Sequence, residues 1–258
     1  MKPIITLEHI SFKYEQDWIL DDISLSVPEG AFVSVIGPNG SGKSTLLKTI
    51  CRLLLPQKGS LEINGRDIGL YSHRELAREV AMVHQHANAS FGLTCEEVVM
   101  MGRYPYQSTW KWENKEDSLI AKECMIYCGV WEFRQRSMSE LSGGEFQRLM
   151  IAKALAQQTR IVLMDEPVAS LDLKYQIEIL RLCKKLIREK GITIIAPIHD
   201  INLAMQFSDL TMIMDKGRLV EYGETRETIS HINIEKLYDI KVRQILDTDK
   251  NIYYFPAI

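Results

Sequence analysis

The stretch GPNGSGKST, residues 37 to 45, constrains the fold of this chain more than any other sequence feature. It is too poor in large side chains to pack a core, yet it lies between the apolar run AFVSVI and the helix-like segment STLLKTICRLLL. It fits the pattern G-x-x-x-x-G-K-[ST] in the strand-then-helix context that this pattern requires. The matching residues are Gly37, Gly42, Lys43 and Ser44. The sequence therefore predicts a loop whose backbone N–H groups bind phosphate.

Each residue type in this loop has a chemical reason. Glycines let successive backbone N–H groups converge on phosphate oxygens without obstruction by Cβ atoms. The ammonium group of Lys43 would reach the β- and γ-phosphates, and the hydroxyl of Ser44 would bind Mg²⁺. The alternative is a glycine-rich turn before a helix, without a ligand. The predicted nucleotide-binding residues are Gly37, Pro38, Asn39, Gly40, Ser41, Gly42, Lys43, Ser44 and Thr45.

A pair of acids follows a second apolar run, IVLMDEP, at residues 161–167. Four apolar residues predict a buried strand, and ligands bind at the C-terminal ends of strands in open α/β sheets. Asp165 is predicted to hold Mg²⁺, and Glu166 to orient or deprotonate an attacking water. A strand that ends in Asp-Glu is usually a solvated turn. Next to a phosphate-binding loop, however, it indicates hydrolysis.

The rest of the chain alternates strand-like and helix-like segments around a helical insertion. Between residues 88 and 156 the pattern is helical, and capping boxes begin at Thr94 and Ser142. Strand-like runs return at IVLM, ITIIAP and LTMIMDKGRLVEYG, the last with a turn predicted at Lys216 and Gly217. This order predicts an α/β core with a parallel sheet.

Composition argues against several classes of protein. The net charge of −3 gives no basic patch for a nucleic-acid partner, and we expect none. No run approaches the roughly 18 apolar residues of a membrane span, and the N-terminus lacks a signal-peptide core. The five scattered cysteines favour reduced thiols over a disulfide framework, and the i,i+4 pair Cys124 and Cys128 is typical of a helix face.

The stretch LSGGEFQR, residues 141–148, narrows the interpretation. A serine and two glycines at a helix start make a second anion-binding N-terminus, and taken alone this is only a capped helix. Together with the other motifs, in their order, it resembles the signature sequence of the nucleotide-binding subunits of ATP-binding cassette (ABC) transporters. The resemblance extends over about residues 5–225.

The resemblance implies a fold, two ligands and a location. It implies an α/β fold with a P-loop NTPase core, a parallel sheet, an N-terminal antiparallel β subdomain and a helical insert. Residues 1–258 would form one domain, with a core at 1–87 and 157–225, a helical subdomain at 88–156 and an extension at 226–258. The ligands would be ATP and Mg²⁺, and the chain would lie peripherally on the cytoplasmic face of the membrane.

Further site residues follow from the same resemblance. GPNGSGKST would be the Walker A loop and IVLMDE the Walker B strand. Gln85 matches the Q-loop glutamine that touches Mg²⁺, and His199 matches the switch histidine that senses the γ-phosphate. Asp172 lies in the D-loop, and Tyr14 falls where an aromatic ring stacks on adenine.

The signature would complete the ATP site of a second copy of the chain. In a head-to-tail dimer of ATPase protomers, the signature loop binds the γ-phosphate of the partner's ATP. The resemblance implies this role for Ser142, Gly143 and Gly144. ATP binding would then drive closure of the dimer and hydrolysis would release it.

Three segments, one of them at the start of the insert, resemble a particular subgroup of these transporters. FGLTCEEVVMMGRYPY, HDINLAMQFSD and LYDIKV resemble the subgroup that imports iron chelates (siderophores, haem) and cobalamin. This resemblance implies integral membrane permease subunits as partners and, indirectly, a substrate-binding protein. Residues 85–106, including Arg103 and Tyr104, would face the permease. The alternative is a solvated loop after a helix.

Other interpretations of the motifs remain. A cassette ATPase outside transport, such as one for iron–sulfur cluster assembly, would have the same ATP site. DNA-repair relatives carry long insertions that this chain lacks, and translation-factor relatives, which would be nucleotide-gated modules without turnover, join two cassettes in one chain.

The sequence departs from the family pattern at Pro197. Proline cannot donate a hydrogen bond to a sheet ladder, so the strand before His199 should end or bend there.

Overall fold

The structure is a computed structural model that describes residues 3–84, 92–107 and 115–257. The strands in these ranges are β1 (Pro3–Lys13), β2 (Trp18–Pro28), β3 (Phe32–Ile36), β4 (Lys58–Ile63), β5 (Arg66–Asp67), β6 (Val80–Val83), β7 (Ile161–Met164), β8 (Thr193–Pro197), β9 (Leu210–Asp215), β10 (Arg218–Glu224), β11 (Val242–Leu246) and β12 (Ile252–Pro256). The α-helices are α1 (Lys43–Ile50), α2 (His73–Glu79), α3 (Cys95–Met100), α4 (Lys115–Tyr127), α5 (Gly143–Ala156), α6 (Leu173–Lys190), α7 (Ile201–Phe207), α8 (Thr225–Thr228) and α9 (His231–Tyr238).

A six-stranded sheet forms the centre, in the order β10-β9-β3-β8-β7-β6. The five strands from β9 to β6 run parallel, and β10 pairs antiparallel with β9 through the predicted turn at Lys216 and Gly217. Both β3 and β7 are buried along their whole length, as expected for parallel strands covered on both faces. The predicted α/β class with a parallel sheet is confirmed.

The two faces of this sheet pack against different parts of the chain. Side chains alternate between faces along a strand, so Ile161 and Leu163 of β7 belong to one core cluster, and Val162 and Met164 belong to the other. The first cluster includes strands β1, β2 and β4 of the antiparallel sheet β2-β1-β4-β5, and helix α1. The second includes α3 to α7. The predicted N-terminal antiparallel strands are therefore present, while the predicted subdomain boundaries stay a prediction.

Helix α1 ends earlier than its sequence pattern predicts. The apolar pattern continues to Leu55, but the helix ends at Ile50. Arg52 adopts a left-handed conformation (φ 59°), and the N–H groups of Leu53 and Leu54 both return to the carbonyl of Lys48. The chain therefore closes the helix with a turn typical of helix C-termini, and this turn overrides the apolar spacing.

Arg103 is buried, so its predicted place on a docking surface is wrong. Its Nε donates to Asp117 Oδ1 at 2.8 Å, and both side chains are 5% exposed. Its guanidinium also donates to the carbonyl of Ala156 at 2.6 Å and stacks on Tyr106. Arg103 therefore ties the α3 segment to α4 and to the end of α5. Tyr104 is 46% exposed, in keeping with a surface position.

We expect Arg103→Ala to reduce the free energy of unfolding by about 3–5 kcal/mol, because it leaves the buried carboxylate of Asp117 without its partner. Urea denaturation measures the change. Leu119→Ala, at a residue of α4 that is 55% exposed, is the matched control and should change stability by less than about 0.5 kcal/mol. Equal stability of the two variants would contradict the structural role of Arg103.

The C-terminal residues form a small unit that docks on α7. The side-chain amide of Asn202 donates to the carbonyl of Tyr254 at 3.1 Å and accepts the N–H of Tyr254 at 2.8 Å. The hydroxyl of Tyr254 donates to the carbonyl of Ile229 at 2.9 Å.

Within the described ranges, no helix has both the length and the hydrophobicity needed to cross a bilayer.

Candidate nucleotide-binding site

The predicted site residues follow the C-terminal ends of neighbouring strands. Gly37 follows β3, Asp165 and Glu166 follow β7, and His199 comes two residues after β8. Because these strands are adjacent and parallel, their carboxyl ends share one edge of the sheet. Gln85 comes two residues after Val83 in the sequence and lies outside the described residues.

The glycine loop leaves no room for side chains at two positions. A Cβ atom at Gly42 would lie 2.7 Å from the carbonyl oxygen of Ile19, and Gly42 has a φ of 99°. A Cβ at Gly37 would overlap the carbonyl oxygen of Met214. Both glycines are therefore required by close packing of the loop against the start of β2 and the end of β9.

Lys43 is buried at the centre of the loop. Its Nζ donates to the carbonyls of Gly37 and Pro38, each at 2.8 Å, and the residue is 7% exposed. Burial lowers the pKa of its ammonium, and the nearby carboxylates of Glu166 and Asp165 partly oppose that shift. The loop thus encloses a buried cation, which an anionic group would stabilise.

Two features of the loop fit a phosphate group. The hydroxyl of Ser41 is buried and has no hydrogen-bond partner in the structure. Helix α1 begins after Gly42 without a side chain that caps its first N–H groups. Unpaired donors at a helix N-terminus, beside a buried lysine, are the groups that bind phosphate oxygens.

The hydroxyl of Ser44 and the carboxylate of Asp165 are already in contact. Ser44 Oγ donates to Asp165 Oδ1 at 2.7 Å, and the N–H of Asp165 is fixed by the carbonyl of Val83 at 2.8 Å. Both oxygens are ligands that Mg²⁺ prefers, so the donor set fits this ion. The loop after β3 and the strand end of β7 are therefore joined at the point where the metal is predicted.

Glu166 and His199 form a second contact at this edge. His199 Nε2 lies 3.1 Å from Glu166 Oε1. Glu166 adopts a left-handed conformation (φ 51°), which non-glycine residues seldom occupy and which functional sites often retain. Strand β8 ends at Pro197 as predicted, and His199 follows it in the exposed turn before α7. A carboxylate next to an imidazole suits proton transfer from water.

The signature residues lie at the N-terminus of α5, away from the contacts described so far. Ser142 caps the helix, and its backbone N–H and its hydroxyl both donate to Glu145 Oε2, at 2.8 and 2.7 Å. Hydrogen bonds from Ser142 lower the pKa of Glu145. The close neighbours of Gly143 and Gly144 are side chains of Leu171 and Tyr175. Ser142 and Gly143 are exposed, so a second molecule can reach them.

Tyr14 and Asp172 have different surroundings. Tyr14 lies in the connection between β1 and β2 and is 61% exposed, and its ring meets that of Phe12 edge-on at 5.0 Å. The same connection leads to Ile19 of β2, which packs against the glycine loop. The ring is thus available for stacking. Asp172 is the N-cap of α6 and accepts the N–H of Tyr175 at 3.1 Å. Its role toward nucleotide stays a prediction.

Two tyrosines next to the site have no signal in the sequence. Burial raises the pKa of Tyr238, in α9, and the nearby backbone of Gly37 partly offsets this rise. Tyr175 packs on the signature glycine Gly144. Both contacts join residues far apart in sequence, so no local pattern indicates them.

Known proteins that are similar to this chain belong to the family that its motifs predict. The family model described as ABC transporter matches residues 20–169. The iron(3+)-hydroxamate import ATP-binding protein FhuC of Bacillus subtilis (strain 168) is 37% identical over 96% of this chain and 92% of its own length. The ferric enterobactin transport ATP-binding protein FepC of Escherichia coli (strain K12) is 36% identical over 93% of this chain and 89% of its own.

A solved structure shows the same fold in a dimer. It is a dimeric, post-hydrolysis state of an ATP-binding cassette bound to ADP and phosphate. It is 31% identical to this chain and superimposes with a TM-score of 0.75, covering 86% of this chain and 99% of that one.

Proposed function

The chain belongs to the ABC transporter family, and from that premise we propose that it is the ATP-hydrolysing subunit of an importer for iron chelates. The observation that carries the hydrolytic part is the meeting of five side chains at one edge of the sheet. Lys43 is buried in the glycine loop, Ser44 contacts Asp165, and Glu166 contacts His199. These are the groups needed to bind a triphosphate and to position an attacking water.

The residues of this chain divide the work between binding and proton transfer. Donors of the glycine loop and Lys43 bind the phosphates. Glu166 accepts a proton from the attacking water, and His199 holds the Glu166 carboxylate in position through their 3.1 Å contact. Ser44 and Asp165 would hold Mg²⁺, with Gln85 as a further predicted ligand. When bound, this ion neutralises charge that develops on the phosphate oxygens.

A second copy of the chain completes each site in this proposal. Ser142 and Gly143 are exposed, and the contacts of the signature loop within its own chain are with Glu145, Leu171 and Tyr175 rather than with the glycine loop. The dimeric state of a 31% identical cassette supports a pair of chains, which the proposal arranges head to tail. The signature loop of each protomer would then bind the γ-phosphate in the other protomer's site, next to that protomer's Lys43.

The import function rests on the similarity to FhuC and FepC, whose names refer to import of iron(3+)-hydroxamate and transport of ferric enterobactin. This similarity favours transport over iron–sulfur cluster assembly. The chain would lie on the cytoplasmic face of the membrane, bound to permease subunits. A substrate-binding protein would deliver the iron chelate to those subunits. Tyr104 belongs to the proposed permease-facing surface, whereas Arg103 does not because it is buried.

Growth on single iron sources tests the import function. A strain that lacks this chain should fail to grow when one iron chelate is the sole iron source, and the intact gene should restore growth. The chain should also co-purify with integral membrane subunits. Unimpaired growth on every iron chelate tested, without co-purified membrane subunits, would contradict import and favour the cluster-assembly alternative.

We expect His199→Ala to lower ATP turnover by about a hundredfold, because Glu166 loses the group that positions it. Nucleotide affinity should stay within about twofold, since the phosphate-binding donors of the loop remain. Phosphate release and calorimetric titration measure the two quantities. His73→Ala, at an exposed histidine of α2, is the control. Unchanged turnover in His199→Ala would remove this residue from the mechanism.

A further inference from the structure

Gly144 occupies a position where backbone conformation does not require glycine. It lies in the first turn of α5 and has no positive φ, unlike Gly42 in the phosphate loop. Glycine inside a helix is less favourable than alanine by about 1 kcal/mol. The surroundings of Gly144, rather than its backbone conformation, therefore exclude a side chain at this position.

The neighbour that excludes it is the ring of Tyr175. A Cβ atom at Gly144 would lie 2.6 Å from Cδ1 and 2.8 Å from Cγ of this ring. These distances are well below van der Waals contact, so alanine would push the ring or the helix aside. Leu171, four residues before Tyr175 in the same chain, packs in a similar way against Gly143. A Cβ atom built at Gly143 would lie 3.1 Å from Cδ2 of Leu171.

Tyr175 lies in the first turn of α6, directly after the segment that carries Glu166. Residues 166–172 run from the end of β7 to α6, and the side chain of Asp172 accepts the Tyr175 N–H at 3.1 Å. The side-chain amide of Gln176 donates to the carbonyl of Leu171 at 2.9 Å. These bonds join the segment to the first turn of α6, so a shift of the segment moves the Tyr175 ring.

A second contact holds α5 and α6 together below this point. Arg148 donates to Glu178 Oε2 at 3.0 Å, and both side chains are partly buried. The two helices are thus joined one turn away from the Gly144–Tyr175 contact. The N-terminus of α5 therefore has a defined orientation relative to the Glu166 segment of the same chain.

We propose that Tyr175 is a positioning residue that couples the two ATP sites of the dimer, an inference that rests on the proposed function. In that dimer, one chain supplies Glu166 to its own nucleotide and Ser142 to Gly144 to the partner's nucleotide. The Tyr175 ring packs on Gly144, and hydrogen bonds in the first turn of α6 join Tyr175 and its neighbour to the segment that carries Glu166. A change around Glu166 at one site thereby alters the orientation of the signature loop at the other.

A double-mutant cycle at Gly144 and Tyr175 tests the coupling. All variants carry Glu166→Gln to stop turnover, and ATP-driven dimerisation is measured by analytical ultracentrifugation with Mg-ATP. We expect Gly144→Ala to weaken the dimer by about a hundredfold or more, and Tyr175→Ala by about tenfold. The double variant should dimerise like Tyr175→Ala alone, because removal of the ring makes room for the alanine methyl group.

Tyr175→Phe keeps the ring and should restore the dimerisation that Tyr175→Ala loses. With Glu166 intact, Tyr175→Ala should also lower the Hill coefficient of ATP hydrolysis toward 1, whereas a purely structural loss would reduce the rate without changing cooperativity. Thermal melts identify variants that fail to fold; if Tyr175→Ala is one of them, Tyr175→Leu, which removes the ring but keeps an apolar side chain, replaces it in both measurements with the same expected losses.

Three outcomes separate the hypotheses. A double variant as weak as Gly144→Ala, or weaker, would overturn the role of the Tyr175 ring, because the glycine would then serve nucleotide approach alone. An unchanged Hill coefficient in Tyr175→Ala would overturn the coupling. If Glu166→Gln without further changes forms no dimer with Mg-ATP, the proposed function fails first, independently of Tyr175.

Discussion

Replacement of Glu166 with glutamine is expected to reduce ATP hydrolysis by at least about a hundredfold and to leave a stable ATP-bound dimer. Glutamine keeps the size of the side chain but cannot accept the proton of the attacking water. The Glu166 carboxylate lies 3.1 Å from His199 and next to the buried Lys43, so the substitution also removes a negative charge beside the phosphates. Closure with ATP should therefore persist while turnover stops.

Phosphate release measures turnover, and size-exclusion chromatography with light scattering measures the dimer. Glu140→Gln is the matched control, because Glu140 belongs to the capping box at Ser137 and glutamine can fill the same role. The control should hydrolyse ATP like the unmodified chain. A Glu166→Gln protein that hydrolyses ATP at the normal rate would exclude this carboxylate as the base.

Replacement of Lys43 with alanine is expected to weaken Mg-ATP binding by at least about a hundredfold. Lys43 is the buried cation of the glycine loop, and charge-assisted hydrogen bonds contribute about 1.5–3 kcal/mol each. Without it, the nucleotide-dependent rise in melting temperature should also disappear, since a ligand that no longer binds cannot stabilise the fold.

Calorimetric titration measures the affinity. Lys48→Ala is the control, because this lysine lies on the same helix and has a partly exposed side chain outside the loop. Its affinity for Mg-ATP should match that of the unmodified chain. If Lys43→Ala bound Mg-ATP as tightly as Lys48→Ala, the glycine loop would not be the phosphate site.

Local chemistry explains which parts of the site could be predicted from the sequence. The glycine loop, the two acids after β7 and the capping box at Ser142 are each contiguous, and each follows a strand or begins a helix. Their residue types are required by hydrogen bonding and close packing within a few residues. Parallel strands then bring Gly37, Asp165 and His199 to one edge without further information.

Contacts between distant segments explain what the sequence did not reveal. Arginine is charged and usually lies at the surface, but hydrogen bonds to Asp117 and to the carbonyl of Ala156 make the burial of Arg103 favourable. The sequence around GRYP therefore predicted that Arg103 faces a partner, whereas the structure places Arg103 in a buried ion pair with Asp117. Tyr175 is similar, because only the packing of α5 on α6 shows why Gly144 lacks a side chain.

The most direct measurement of the shared ATP site uses two defective chains, both carrying Glu166→Gln. One also carries Lys43→Ala, and the other carries Gly143→Asp, which places a negative charge in the exposed first turn of α5. In a head-to-tail pair, one site contains both defects and the other contains neither. We therefore expect each chain alone to stay monomeric with Mg-ATP, and the equimolar mixture to form dimers that retain about one nucleotide per two chains. A mixture that binds no more nucleotide and forms no more dimer than its components would contradict a pocket built from two copies of this chain.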